Sequence, residues 1–444
     1  MHDPYKVKLV LFSNTYPFGG GETFLADEVP YLAKEFHRIT VFPLYRPVGP
    51  MREHPHNVDI AAPLLPFGHK DKKGFLRHGL FNTAPFFFAT KEFFRALFGY
   101  GIKGKKANVF KRLRIFFNYF LMTRTILSNK KLMEEIVREC SFADKLYFYW
   151  GDKSVMLAPF LKKLIRPNVE TMPMFIARFH GSDLYEGAKG YLPFRSRIFS
   201  SIDYAVPVSY DGMNYIKKNY NPCPKIIEVW HLGSTHHDNN FKNSIAEENN
   251  IFSIVGCSNL IPLKRVDLVV NALKLLAKDN DAQEKIKQRG FDKITYTHFG
   301  GGNMLQELKK TAETINSEFL SLDFKGSRPH DEILEYYKEN GGDLFILASR
   351  SEGIPVSIME AMSYGIPVIA TNVGGVKELF RNCPLGYIID ADINAEDIKK
   401  QILEYILLPE NTHAQMKQNC YENWKEEWDA QTNYSGFAQE LLGV

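Results

Sequence analysis

Residues 349–378 read SRSEGIPVSIMEAMSYGIPVIATNVGGVKE, and the fold follows from how this run is parsed. Just before it, residues 343–348 (DLFILA) turn continuously apolar after the first, as a parallel strand buried on both faces requires. Residues 349–357 form a turn in which Gly353 permits backbone conformations that other residues resist and Pro355 stiffens the chain. A helix is predicted over residues 356–364, ending at Gly365. Residues 366–370 give a second short strand, and Gly374-Gly375 opens another helix. Strand, glycine turn and helix, twice over, is the plan of a nucleotide-binding sheet, where helix N-termini aim amides at an anion.

Two carboxylates stand in this run, Glu352 beside the glycine turn and Glu360 inside the apolar helix. Burying Glu360 among residues 358–362 costs several kcal/mol, about 2–7, unless donors satisfy it, and a ligand rich in hydroxyls supplies donors. Two glutamates with seven residues between them, then a G-x-P-V strand and a G-G-x-x-E turn, resemble the signature of retaining glycosyltransferases of family 4, which have the GT-B fold. The resemblance implies an α/β chain of two Rossmann-like domains whose parallel sheets face across a cleft. It implies that Glu352 approaches the donor sugar, that Glu360 binds the ribose of a nucleotide-diphosphate-sugar, and that amides of Gly353, Ile354, Pro355, Val356 and Ser357 line the diphosphate. Proline has no amide hydrogen, so Pro355 contributes only shape. The acceptor is a glycan or lipid-linked hydroxyl, as in capsule, exopolysaccharide or lipopolysaccharide assembly. No metal and no cofactor are expected. A sugar-nucleotide epimerase, or a protein that binds sugar nucleotide or lipid without turnover, stays open as an alternative.

A chain of 444 residues and 51.0 kDa exceeds one hydrophobic core. The expected parts are residues 1–234, a linker at 235–250, a nucleotide-sugar domain at 251–420 and a tail, 421–444, that returns to the first domain. The linker is polar, with Asn239, Asn240, Asn249 and Asn250. Five scattered cysteines without a CxxC pair argue against a disulfide framework or zinc site and suit a reducing cytoplasm. The N-terminus enters a strand without a long apolar leader, and no run approaches the roughly 20 apolar residues of a membrane span.

In the nucleotide-sugar domain, the loop at residues 256–265 follows a strand. The family places arginine and lysine five residues apart in such a loop. Lys264 matches the lysine, Asn259 stands at the arginine position, and Arg265 becomes the candidate for the second phosphate charge. Gly301 and Gly302 resemble a glycine turn near the nucleotide, and Arg328 follows a strand end where the base is commonly held. In the first domain the Gly20-Gly21-Glu22 turn after strand 7–12 is assigned to the acceptor cleft, with Glu22 as a hydroxyl acceptor. The run Arg178-Phe179-His180-Gly181-Ser182-Asp183 ends another strand. His180 is a candidate to polarise the sugar or the developing charge, Arg178 to contact phosphate or sugar, and Asp183 to line the cleft. Asp390-Ala391-Asp392 has the D-x-D spacing of metal-dependent transferases but lies in a peripheral turn.

Net charge is +4, yet residues 70–131 hold fifteen Lys and Arg against two acidic residues, leaving −9 for the rest. This stretch belongs to a Phe-rich insertion, residues 68–140. Helical spacing over 84–98 and 109–124 predicts two helices, the second with Phe110, Leu113, Phe117, Phe120 and Leu121 on one stripe and Lys111, Arg112 and Arg114 opposite. The stripe is either core or a surface for anionic lipid, which would make the protein peripheral at a membrane. No nucleic-acid module accompanies it.

Overall fold

The sequence alternates apolar strands with amphipathic helices, and parallel pairing follows because the returns within each sheet are made by helices, apart from the stretch at 44–57 between the second and third strands. The computed structural model describes residues 6–19, 21–47, 49–65, 89–100, 107–186, 190–221, 223–236, 250–315, 317–380 and 384–444. Strands β1 (Lys8–Ser13), β2 (Arg38–Pro43), β3 (Val58–Ile60), β4 (Lys145–Phe148), β5 (Met174–Phe179), β6 (Tyr204–Pro207) and β7 (Ile226–Ile227) form one sheet in the order β3-β2-β1-β4-β5-β6-β7. Strands β8 (Ile251–Cys257), β9 (Lys293–Phe299), β10 (Leu320–Gly326), β11 (Leu344–Leu347), β12 (Val368–Thr371) and β13 (Gly386–Ile389) form the other, β10-β9-β8-β11-β12-β13. Every pairing is parallel. Each sheet reverses its strand order once, at β1/β4 and at β8/β11. At such a reversal the loops beyond the strand C-termini diverge and leave room for a ligand.

Alternation along the strands fills both faces of the first sheet. Val10 and Phe12 point to one side, where Phe12 stacks on Phe42 and Phe148 at 5.6 and 4.6 Å. Leu9 and Leu11 point to the other, with Tyr147, Ile176 and Tyr204. On that second side the helix Ala430–Gly443 buries Phe437, Ala438 and Leu441.

The chain divides into a first unit, up to His231 plus Tyr434–Val444, and a second, Leu232–Asn433. Residues 421–433, read above as part of the returning tail, therefore stay with the second unit. Trp424 Nε1 donates to Ser234 Oγ at 2.8 Å and Asn423 donates to the Leu379 carbonyl at 2.9 Å, which holds them there. His236 lies 4.5 Å from the Tyr364 ring and 5.5 Å from Trp424, so the second unit begins before the polar linker. Most of that linker, residues 237–249, lies outside the described residues.

The basic insertion is helical at Thr90–Phe98 and Val109–Ser128; residues 66–88 and 101–106 lie outside the described ones. Its stripe is rotated from the expected one. Phe116 and Phe120 are buried, whereas Phe110 is 81% and Phe117 41% exposed. Arg112, expected on the solvent side, turns inward. Its guanidinium donates to the carbonyls of Ala96 (2.7 Å), Leu97 (3.1 Å) and Ala107, capping the last turn of Thr90–Phe98. Exposed Phe94, Phe98 and Tyr100 continue the aromatic surface, Phe94 and Phe98 stacking at 6.1 Å. Among the described residues no helix is long and apolar enough to cross a membrane.

Candidate active site

The second sheet's reversal point brings together the loop after β8 and the loop after β11. Lys264 arrives on the first and Glu352 on the second, and Lys264 Nζ meets Glu352 Oε1 at 2.5 Å. The side chains retain 19% and 10% exposure, so the pair is sheltered yet reachable. Backbone bonds set the approach: the Arg350 amide donates to the Leu263 carbonyl at 2.9 Å, and the Gly375 amide to the Gly353 carbonyl at 2.7 Å. Gly374 has φ +54°, and a Cβ there would stand 2.0 Å from the Glu352 carbonyl oxygen. The second glycine turn thus packs directly on the catalytic candidate, a position closed to other residues.

Helix Val356–Ser363 starts after Pro355, with Ile354, Pro355 and Val356 buried and Ser357 partly exposed. Glu360 is 4% exposed. A donor comes from within the chain, where a ligand's hydroxyls were expected to supply it: His330 Nε2 donates to Glu360 Oε1 at 2.8 Å. His330 opens the helix His330–Asn340, and sequence reading missed it because the bond joins residues thirty positions apart. Cys257, at the end of β8, feels both Glu360 and Lys264. Burial, then the Glu360 charge, pushes its thiol up, and the Lys264 ammonium opposes the shift.

Arg265 does not supply the second phosphate charge. Its guanidinium is buried and donates to the carbonyls of Ala348 (2.6 Å), Ala391 (2.8 Å) and Ser349 (3.2 Å), tying β11's end to the turn after β13. Asn259 is exposed, as is Gly302, while Gly301 is partly so. The Leu260 amide donates to the Gly301 carbonyl at 2.8 Å. Arg328 is exposed, with Nε on the Lys325 carbonyl at 3.2 Å and Nη1 3.7 Å from Glu332.

The first unit treats its candidates differently. Gly20 lies outside the described residues, and Gly21 is exposed. Glu22 is not a free hydroxyl acceptor: its carboxylate takes the amides of Asn14 (2.9 Å), Thr15 (2.5 Å) and Tyr16 (2.6 Å) and the Trp150 indole N–H (2.5 Å). It closes the β1/β4 reversal point. Arg178 is not a ligand contact either. It is fully buried, 3.2 Å from Glu28 and 4.2 Å above the Phe437 ring, because β5 points it into the core. Burial raises the Glu28 carboxyl, and Arg178 pulls it back. Asp183 is 1% exposed and accepts the amides of Gly151 (2.7 Å) and His180 (2.6 Å), so it joins two loops. His180 Nε2 donates to the Tyr149 carbonyl at 3.1 Å, and its ring lies 4.5 Å from Trp150. Burial, then the nearby Arg178 charge, pushes His180 down to about 3, so it is neutral at physiological pH and its Nε2–H is already committed.

Two all-parallel sheets of Rossmann type, each with one reversal of strand order, make a GT-B fold, and the second carries the Lys264–Glu352 pair at its reversal point. Residues 236–423 match the model of glycosyl transferases group 1. The chain resembles the solved structure of HepE from Anabaena in complex with UDP and glucose, with TM-score 0.62 and 15% identity over 99% of this chain and 100% of that one. It also resembles WaaG, a glycosyltransferase involved in lipopolysaccharide biosynthesis, with TM-score 0.60 and 12% identity over 99% and 100%. In sequence it is 27% identical over 222 residues to the amylovoran biosynthesis glycosyltransferase AmsK of Erwinia amylovora, covering 47% of this chain and 50% of that one. The chain spans about half the length of the curated relatives it matches.

Proposed function

We propose that this chain is a retaining, family 4 type glycosyltransferase moving a sugar from a nucleoside diphosphate to a hydroxyl of a glycan or lipid-linked acceptor in surface polysaccharide synthesis. The Lys264–Glu352 pair carries the proposal. In the reaction the bond from the sugar's anomeric carbon to the diphosphate breaks with its electron pair going to phosphate. The acceptor oxygen bonds to that carbon, and its proton passes to the departing phosphate oxygen. Charge therefore grows on the diphosphate, and a preorganised ammonium stabilises it without a metal. The incoming diphosphate competes with Glu352 for Lys264 and frees the carboxylate for the sugar's hydroxyls. Glu360, oriented by His330, takes the ribose, and the first turn of Val356–Ser363 offers amides to phosphate. His180, neutral and flanked by Trp150, presents a ring edge rather than a charge. Phe94, Phe98, Tyr100 and Phe110, beside Lys91 and Lys111, support an anionic membrane as the setting of a lipid-linked acceptor, with the protein peripheral to the cytoplasmic leaflet.

The test is a thermal-shift screen against UDP, GDP, ADP and their sugar conjugates, repeated on Glu360→Ala. Ligand at a hundredfold its dissociation constant stabilises by about 2.7 kcal/mol. A shift with one base, lost in the variant, is expected; no shift with any nucleotide overturns the reading. Free nucleotide released only when acceptor is present separates transfer from epimerisation. Sedimentation with anionic and neutral vesicles tests the membrane setting, which equal binding would remove.

A further inference from the structure

The loop from Ser258 to Lys264 ends in the ammonium that meets Glu352, and its start is held by two residues of the neighbouring strand β9. His298 is 2% exposed, with Nε2 3.0 Å from the Ser258 carbonyl oxygen and Nδ1 2.8 Å from the Tyr296 hydroxyl. A carbonyl only accepts, so Nε2 carries the hydrogen. Nδ1 is then bare, and the Tyr296 O–H donates to it. A directed chain results, from phenol through imidazole to backbone.

Glycines make room for it. A Cβ at Gly256 would stand 2.7 Å from both His298 Nδ1 and the Tyr296 oxygen. At Gly300, where φ is +137°, a Cβ would stand 2.0 Å from the same Ser258 oxygen. Beyond Ser258, the Leu260 amide donates to the Gly301 carbonyl at 2.8 Å and the Met304 amide to the Leu260 carbonyl at 3.1 Å. The Lys264 loop and the 300–304 turn are therefore laced together, and His298 fastens the end where they leave the sheet.

We propose that His298 is a positioning residue for the donor: through the Ser258 carbonyl it sets the path of residues 258–264 and so the place of the Lys264 ammonium beside the leaving diphosphate. This rests on the role given to Lys264 above. An imidazole that donates from one nitrogen and accepts at the other is neutral, and burial pushes His298 down to about 4, which keeps it so at physiological pH. An apolar side chain of similar size fills the space but leaves the carbonyl unheld.

The experiment compares wild type with His298→Gln and His298→Leu, reading the unliganded melting temperature and the dissociation constants of UDP, GDP and ADP. A glutamine amide nitrogen takes the place of Nε2, so His298→Gln keeps nucleotide affinity within about threefold, whereas His298→Leu weakens it about tenfold. Both lose the Tyr296 partner, so both unliganded melting temperatures fall, His298→Leu further because the Ser258 carbonyl is also left unheld. Wild-type affinity in His298→Leu, or equal weakening in both, overturns the proposal. Should His298→Leu fail to fold, His298→Met serves: it fills the space without a donor for the Ser258 carbonyl and is expected to weaken nucleotide binding about tenfold, and unchanged affinity overturns the proposal. A wild type that binds none of the three nucleotides sinks the transferase reading as a whole, an outcome distinct from the failure of His298 alone.

Discussion

Where the first sheet reverses, between β1 and β4, Glu22 accepts the Trp150 indole N–H and three loop amides. Where the second reverses, between β8 and β11, Lys264 and Glu352 meet as two partly exposed charges. The same topology thus yields one reversal point whose carboxylate is spent on its own backbone and one whose charges neutralise only each other. A ligand cannot easily displace four short bonds around Glu22. It can take over either half of the Lys264–Glu352 pair, since each charge keeps part of its surface open to water. The first unit's charged candidates, like Arg265 in the second, are bound into their own fold, whereas the Lys264–Glu352 pair keeps surface open to a ligand.

The contrast breaks most sharply at Arg178. Arg178→Met strands Glu28 in the core, and the expected cost is about 3–5 kcal/mol in urea denaturation, while Arg178→Met with Glu28→Leu recovers most of it. Lys264→Met is expected to do the reverse, leaving the melting temperature near wild type and lowering turnover about a hundred- to a thousandfold in an assay of released nucleoside diphosphate. If Lys264 were architecture as well, stability would fall in its place. Glu22→Gln leaves loop amides short of an acceptor and is expected to cost about 1–3 kcal/mol in the same denaturation experiment, with the donor KM unchanged.

A pH series sharpens the comparison further. Folded His180 refuses a proton down to about 3, while the unfolded residue accepts one below 6.5. Its contribution to stability is therefore complete above pH 6.5 and is lost as pH falls from there toward 3, by about 1.4 kcal/mol per unit at most. Protection factors of β5 amides, corrected for the intrinsic pH dependence of exchange, are expected to fall over that window and to flatten in His180→Phe. His298 acts in the same direction in the second unit, so β9 amides serve as the control. The smallest effect is expected at Arg328→Ala, less than about threefold in nucleotide affinity by calorimetry, since its one ion pair is exposed.

Much of the second unit was legible in the chain. The glycine turns, the carboxylate inside an apolar helix and Lys264 at a loop end are local patterns, and helix and strand periods carry them. His330, Trp150 and His298 were not, because each acts by hydrogen bonds to residues remote in sequence. The arginines misled for one physical reason. Arg112 read as an exposed cation and Arg178 and Arg265 as ligand contacts because burying a charge is costly, but the fold offsets that cost with carbonyl fans or a carboxylate assembled from distant segments. The aromatic stripe of Val109–Ser128 was rotated in the same way: inward-turned Arg112 takes part of the buried face, and Phe110 and Phe117 face out.

The helix that buries Phe437 gives the first unit an unusual order of assembly. Its sheet is complete once β7 has emerged from the ribosome, and the helix Thr23–Glu35 already covers part of one side with Leu25, Val29 and Leu32, yet the rest of that side stays uncovered until residues 434–444 arrive, about 200 residues later. At roughly 5–20 residues per second the interval is about 10–40 s, long enough for the entire second unit to be synthesised and begin folding. Throughout it the Arg178 guanidinium lacks the Phe437 ring that covers it in the finished protein. The unit that begins first is thus finished last, and nascent-chain chaperones have their longest opportunity at the bare face around Tyr147 and Ile176.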